Sequence, residues 1–269
     1  MVEAPLRYAV LLARLEELKL PDIAKALSAF RKVPIQDAAR NARNCWGLPA
    51  ENLEKDEAQE LSARLKENGV ESLSLPQSLI EESPAPLPTT SLEFRPDAIL
   101  VNLKSSQSEL LAKENIRLIA AVGLKQTITT TMKVKEGPSP TQKALSMGLL
   151  LAGLPIRIGG ASREVEKKKE TTELFFILDL CLRKPVRRFR IDALDFNFSC
   201  LKARMGYTAP QNFRTLIQEM SRLCPQAIKN RGTQILLDGA PVASMGYDAI
   251  TDLDRESRWL LTLESLKDP

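Results

Sequence analysis

The first 76 residues alternate short apolar runs with stretches in which apolar residues recur at helical spacing. The apolar run at 7–12 is too short for a helix, so we predict a buried strand there. Amphipathic stretches on either side of Pro34 and over 55–67 are each typical of a helix that buries one face. Two further short runs predict strands, at 50–53 and 70–75. The order strand, helix, helix, strand, helix, strand predicts a small α+β domain over residues 1–76.

A proline-rich stretch follows this domain. Its prolines are Pro76, Pro84, Pro86 and Pro88, interspersed with Glu, Ser and Thr. Because proline fixes φ and lacks an N–H group, we predict an extended linker over residues 77–92 that belongs to no helix or sheet. The net charge is −3 over residues 1–82 and +7 over the rest of the chain. This change of sign supports a division into two domains.

Residues 93–225 have a different pattern. Apolar or alternating runs predict successive strands, at 98–101, 116–122, 125–135, 173–182 and 186–191. Thr208 followed by Gln211 is a capping-box pattern, which predicts a helix from Ala209. Residues 226–269 are expected to form a helical C-terminal extension with a helix from about Thr251. The predicted class is therefore α+β, with an antiparallel curved sheet or barrel covered by C-terminal helices.

Two resemblances follow from these residues. The run 22–75, and most specifically 53–61 and 66–70, resembles the C-terminal domain of the bacterial ribosomal stalk protein, a strand, helix pair, strand, helix, strand fold shared in outline with the adaptor of the ATP-dependent Clp protease. That resemblance implies a basic surface on the first helix pair that recruits translation factors, with Arg31 and the segment 36–40 at the matching positions. Residues 93–225, strands followed by a covering helix, are loosely similar to a pleckstrin-homology-like barrel.

Composition excludes several kinds of chemistry. The chain contains no histidine, which excludes Ser-His-Asp and Cys-His catalysis and His-ligated zinc. The four cysteines lack CxxC spacing and are expected to be free thiols in a reducing cytoplasm. Gly148 and Gly153 have the spacing of a phosphate-binding loop, but Leu154 and Pro155 stand where lysine and serine or threonine are required. We expect no catalytic residue, cofactor or metal site, and no small-molecule substrate is evident.

A basic stretch is the first candidate site. Between residues 111 and 190 there are 16 basic and 7 acidic residues. The candidate anion-binding residues are Lys167, Lys168, Lys169, Arg183, Lys184, Arg187, Arg188 and Arg190. On adjacent strands they would form a positive face for the phosphates of nucleic acid or of anionic lipid. A solvated strand edge that discourages pairing explains the same charges without a ligand.

The second candidate is the long loop over residues 137–162, which is rich in Gly and Pro around an apolar centre. Its candidate docking or membrane residues are Leu145, Met147, Leu149, Leu150 and Leu151. The loop is expected to pack back on the sheet as a short helix, to dock a partner protein, or to insert shallowly in a membrane beside its basic flanks.

Three functions remain open at this point. The first is a non-enzymatic protein-interaction or regulatory module with an unidentified protein partner. The alternatives are a peripheral binder of anionic membrane surfaces and a weak nucleic-acid binder. An enzyme that uses carboxylates, lysine or cysteine also stays possible. Charged residues interrupt the first apolar run at Arg14, Glu16 and Glu17, so we expect no signal peptide or membrane anchor, and a cytoplasmic protein.

Overall fold

The computed structural model describes residues 6–14, 19–136 and 163–267, with the backbone alone at 126–136 and 163–173. Contacts divide the chain into two units, one of Met1–Leu124 with Phe175–Pro269 and one of Lys125–Leu174. The first unit contains residues on both sides of the predicted linker, so the division into units does not fall at 77–92.

The N-terminal part of the first unit is a three-stranded sheet with three helices. Its strands are β1 (Tyr8–Leu12), β2 (Ala50–Leu53) and β3 (Ser72–Pro76), and its helices are α1 (Leu20–Arg31), α2 (Ile35–Arg43) and α3 (Lys55–Glu67). Strand β1 lies in the centre and pairs antiparallel with β2 and β3. The predicted element order of this α+β domain is confirmed.

Local signals set the bounds of these helices. Pro21 occupies the first turn of α1, and Pro34 directly precedes α2. At the start of α3, the backbone N–H of Glu54 donates to the Glu57 carboxylate at 2.9 Å. Gly69, with φ of 73°, follows the end of α3 in the left-handed conformation that favours glycine. Because such signals act within a few residues, sequence alone locates these elements.

The second sheet has seven strands in the order β10-β7-β8-β9-β4-β5-β6. Their bounds are β4 (Leu87–Phe94), β5 (Ala98–Leu103), β6 (Ser108–Ala112), β7 (Ile116–Glu136), β8 (Arg163–Leu182), β9 (Arg188–Asp192) and β10 (Ile228–Lys229). Strands β7 and β8 continue into the second unit. The β10–β7 and β4–β9 pairs are parallel, whereas β4–β5, β5–β6 and β8–β9 are antiparallel. The α+β class is confirmed, but the sheet is mixed, and β10 and β6 are its unpaired ends among the described strands, so it is not a closed barrel.

The predicted linker is wrong for residues 87–92, which belong to β4. Leu87, Pro88 and Thr89 pair with Phe189, Arg190 and Ile191 of β9. Pro88 is tolerated because it is the second residue of the strand, where a missing N–H group disrupts the ladder least. Its carbonyl accepts a hydrogen bond from the backbone N–H of Lys104 at 2.9 Å. The sheet therefore incorporates a segment that its proline content assigns to a connector.

The last helix belongs to the core and is no appended extension. Helices α4 (Ala209–Leu223), α5 (Arg231–Leu237) and α6 (Ile250–Ser265) follow the sheet. The Trp259 side chain on α6 is fully buried, and its indole N–H donates to the Leu12 carbonyl of β1 at 2.8 Å. On the same helix, Glu264 accepts from the Arg117 guanidinium of β7 at 2.5 Å. Helix α6 thus contacts both sheets. No helix within the described ranges is long and apolar enough to cross a bilayer.

Two glycines test this packing. Gly47 has φ of 86°, and a Cβ atom there would lie 1.8 Å from Cδ2 of Trp259, whereas Gly69 has φ of 73° and no atom within 4 Å of such a Cβ. We expect Gly69→Ala to lower the free energy of unfolding by about 1–2 kcal/mol, the cost of a left-handed non-glycine residue. Gly47→Ala should cost about 2 kcal/mol more because the indole ring must move. Urea denaturation of both variants measures the difference, and equal losses would contradict the packing of Trp259 on Gly47.

Candidate functional site

A cavity of about 570 Å³ lies between strands β4 and β5 and the segment that leads into and includes α4. We call it the α4 cleft. Its lining residues are Ser91, Leu92, Glu93, Phe94, Asn102, Ser199, Cys200, Leu201, Lys202, Ala203, Arg204, Glu219, Arg222 and Leu223. The volume falls within the range of ligand-binding clefts, roughly 300–1,000 Å³. The lining combines apolar residues with charged side chains.

One buried carboxylate organises the charged side chains of the cleft. Glu219 on α4 is 5% exposed. Its Oε1 atom pairs with the Arg204 guanidinium, and its Oε2 atom accepts from Nη2 of Arg222 at 2.9 Å. The side chains of Arg204 and Arg222 are 51% and 69% exposed. Because a guanidinium has five N–H donors, both arginines keep donors free for a ligand while Glu219 fixes their position.

The neighbouring backbone has an unusual conformation. Lys202 has φ of 51° and ψ of −125°, within a 3-10 helical segment over Phe198–Arg204. Such angles favour glycine, and residues held in sparsely populated conformations cluster at functional sites. Opposite this segment, the Asn102 amide donates to the Ser91 hydroxyl at 2.9 Å, which orients both polar side chains at the cleft wall.

The cleft is suited to binding an anion. It is lined by Lys202, Arg204 and Arg222, against the carboxylates of Glu93 and Glu219. Both oxygens of Glu219 already accept from arginine, so this carboxylate supports its partners and is not poised to move a proton. Burial raises the pKa of the Cys200 thiol to about 11, so the thiolate that a nucleophile requires is scarce at neutral pH.

Sequence analysis missed this site. Glu219 and Arg222 are three residues apart on one helix, which is the spacing of an ion pair and the one local signal available. The pairing of Arg204 with Glu219 is tertiary and leaves no trace in the spacing.

The structure separates the members of the predicted basic stretch. Arg188 is 2% exposed, and its guanidinium contacts Asp179, Asp254 and the Ser83 hydroxyl. Arg190 donates to Asp179 at 2.8 Å and to Asp254 at 3.3 Å. Asp179 itself is fully buried. These two arginines therefore form an internal ionic cluster and face no phosphate.

The other members of the stretch have different surroundings. Arg187 pairs with Glu109, and Arg183 pairs with Glu264 at 2.6 Å. Lys184 is exposed. Lys167, Lys168 and Lys169 lie in β8, where the structure describes the backbone and not the side chains. The arginines predicted as one anion-binding face are thus largely paired with carboxylates of the chain itself.

The second predicted candidate is not tested by the structure. Leu145, Met147, Leu149, Leu150 and Leu151 lie outside the described residues. Within the ranges that the structure does describe, no group of three or more Cys, Asp or Glu side chains is arranged to hold a metal ion.

A buried polar cluster joins α5 to α6. Glu256 is 1% exposed and accepts from the Tyr247 hydroxyl, from Nδ2 of Asn230 at 3.0 Å and from the backbone N–H of Arg231 at 3.1 Å. Asn230 also bonds the backbone N–H and C=O of Ala121 on β7. Burial raises the pKa of the Glu256 carboxyl, although these hydrogen bonds act in the opposite direction. The same burial, together with Glu256, raises the pKa of Tyr247.

No protein-family model, no curated protein and no solved structure matches the chain.

The ionic cluster predicts that substitutions at two members of the basic stretch lower the free energy of unfolding by very different amounts. Arg188→Met would leave Asp179 with Arg190 as its remaining partner, so we expect a loss of about 3 kcal/mol in the free energy of unfolding. Lys184→Met removes the same charge from an exposed position and should cost about 0.5 kcal/mol or less. Urea denaturation compares the two variants. A similarly small loss for both variants would contradict the burial of the Arg188 guanidinium among these carboxylates.

Glu256 predicts a dependence of stability on pH. Its folded pKa lies above the ordinary value of 4.5, so its ionised form is disfavoured by folding. The stability that the protonated carboxyl contributes is complete below that ordinary value and is lost as pH rises through the folded pKa. Glu256→Gln removes this titration, so the stability of wild type minus that of the variant should fall as pH rises from about 4.5 through the folded pKa. Urea denaturation across this range measures the difference, and a difference that grows with pH would show that folding favours the carboxylate.

Proposed function

We propose that this chain is a non-enzymatic protein-interaction module that binds an acidic segment of a partner protein in the α4 cleft. The observation that carries the proposal is the arrangement of Arg204 and Arg222 on the buried carboxylate of Glu219. A single carboxylate neutralises one of the two guanidiniums, so the pair retains about one positive charge and a set of outward donors. An acidic side chain of a partner supplies the missing charge and accepts from both arginines.

The apolar part of the cleft favours a protein partner over a small anion, which would contact only the charged side chains. A peptide gains further affinity by covering the apolar part of the cleft, where Leu92 and Leu201 are buried and Phe94 and Leu223 are partly buried. Charged contacts then select an acidic segment, and the apolar part contributes affinity.

The chemistry of the cleft supports binding over catalysis. Glu219 is held by two arginines, and the Cys200 thiol has a raised pKa. The Ser91 hydroxyl accepts from Asn102, a neutral amide that is no general base. Glu219 and Ser91 are thus engaged with neighbouring side chains, and the Cys200 thiol is largely protonated at neutral pH.

The alternatives drawn from the basic stretch have less support. Nucleic-acid binding relied on the basic stretch, and membrane binding relied on that stretch together with the loop over 137–162, which lies outside the described residues. Of the basic stretch, Arg187, Arg188 and Arg190 each pair with a carboxylate of this chain. The resemblance to the ribosomal stalk domain remains a prediction. Arg31, which the resemblance places on the basic surface of the first helix pair, donates to the Pro49 carbonyl at 3.4 Å.

Peptide binding tests the proposed function. The probes are fluorescein-labelled peptides in which two glutamates flank a leucine, with the same peptides carrying glutamine as the comparison. The triple variant Arg204→Gln, Glu219→Gln, Arg222→Gln removes the arginines together with the carboxylate that they neutralise, so no lone buried charge remains. We expect fluorescence anisotropy to show at least tenfold weaker binding of the glutamate peptides, because two charge-assisted contacts are lost.

Arg64→Gln on α3 is the matched control, since it also makes the net charge more negative by one. Arg64 lies in an exposed ion pair with Glu60, and this variant should bind like wild type. The single variant Glu219→Gln distinguishes the effect of positioning the two arginines from the effect of the net charge of the cleft. It adds a positive charge, yet it should weaken binding because the guanidiniums lose their support. Tighter binding by Glu219→Gln, or equal affinity for the glutamate and glutamine peptides, would contradict the proposal.

A further inference from the structure

A second, smaller cavity lies where the N-terminal helices meet the C-terminal segment. Its volume is about 130 Å³, and its lining residues are Leu20, Arg43, Trp46, Arg231, Met245 and Gly246. Arg43 is the last residue of α2, and Arg231 is the first residue of α5. Residues nearly 190 positions apart in the chain therefore converge on one small space. We call it the Trp46 cavity.

The charges at this cavity are unbalanced. Two arginines line it and no carboxylate does. The three other cavities described in the structure also have arginine in their walls, but each includes Glu219, Glu109 or Glu264 as an internal counter-ion. Within the described part of the chain, neither Arg43 nor Arg231 forms a salt bridge. Glu256 acts on Arg231 electrostatically, but its oxygens already accept from Tyr247, Asn230 and the Arg231 backbone.

The walls of the cavity are held in place by packing and hydrogen bonds. The Trp46 ring stacks on Tyr247 with ring centroids 4.2 Å apart and 7° between the planes. Nη2 of Arg231 donates to the Ser244 carbonyl at 3.2 Å, which fixes its direction. Trp46 has φ of 44°, a left-handed conformation that costs a bulky residue energy. Such strain is retained where the surroundings over-determine a residue, as in a ligand site.

A position in the last turn of α2 suits the positive charge of Arg43 by itself. That position does not account for the second arginine of the same cavity. The Trp46 indole N–H is buried without an acceptor, and because it has almost no accessible surface it is not counted among the donors of the cavity.

We propose that the Trp46 cavity binds a small oxyanion of the phosphate class, held by the guanidiniums of Arg43 and Arg231. The size follows from the volume, because the cavity of about 130 Å³ is less than a quarter of the α4 cleft of about 570 Å³. The smaller space suits a single tetrahedral oxyanion. The site is distinct from the α4 cleft, and neither proposal depends on the other.

Calorimetric titration of the full chain with inorganic phosphate tests this inference, at constant ionic strength with chloride as the competing anion. We expect saturable binding that weakens at least tenfold in Arg43→Gln and in Arg231→Gln, since each removes one charge-assisted contact. Arg64→Gln makes the same change of charge on α3, at a residue that does not line the cavity, and should bind phosphate like wild type. Thermal melts of the three variants establish that each is folded.

Tryptophan fluorescence supplies a local readout. The chain has two tryptophans, and Trp259 is fully buried in the core. Phosphate should change the emission of wild type, and Trp46→Phe should remove that change. The calorimetric titration is repeated with a phosphomonoester and with sulfate. Tighter binding of the phosphomonoester identifies a phosphorylated ligand, and tighter binding of an inorganic ion identifies a free oxyanion. Absence of saturable binding, or equal affinity in wild type and both arginine variants, would overturn the proposal.

Discussion

The burial of Trp259 of α6 against the N-terminal sheet is the interaction on which the rest of this structure depends. An indole side chain buries about 150–250 Å² of largely apolar surface, so its position is costly to change. The ring occupies the space above Gly47, and its N–H is satisfied by the Leu12 carbonyl. Helix α6 is thereby fixed against β1, and the pairing of Arg258 with Glu51 follows from that placement. The turn at Trp46 and Gly47 takes its shape from the same contact, so one packing event in the core also forms a wall of the Trp46 cavity.

The accuracy of the sequence predictions follows the range of the forces involved. In the N-terminal domain, Pro34, the Glu54 and Glu57 capping box and Gly69 each act on their own neighbours, and the observed elements match the predicted ones. Strand β4 was missed because its proline content is a local signal against a strand, whereas its pairing with β9 joins residues about a hundred positions apart. For the same reason α6 was predicted as a helix but not as a core element. Its apolar face is visible in the sequence, and the surface that covers it is not.

The basic stretch illustrates the corresponding limit for sites. Sequence shows that Arg188 and Arg190 are two residues apart and therefore lie on one face of a strand. It does not show what that face meets. In the structure Asp179 lies directly across from Arg190 on β8, and Asp254 approaches from α6. The cross-strand pair brings the charges together, and burial makes the pairing obligatory, because an unpaired charge in this position would cost several kcal/mol. A run of positive residues therefore contributes to the core here, although its composition is typical of a surface.

Comparison of the three arginine pairs shows what distinguishes a structural charge from one that is free to bind. Arg188 and Arg190 meet two carboxylates, so their charges are balanced within the fold. Arg204 and Arg222 share the single carboxylate of Glu219, which positions both and neutralises one. Arg43 and Arg231 line a cavity that has no carboxylate in its wall. The number of guanidinium charges that the fold leaves for solvent or a ligand to balance therefore rises in that order. In the two proposals the volumes distinguish the ligands, a chain segment for the cleft of about 570 Å³ and a single ion for the cavity of about 130 Å³.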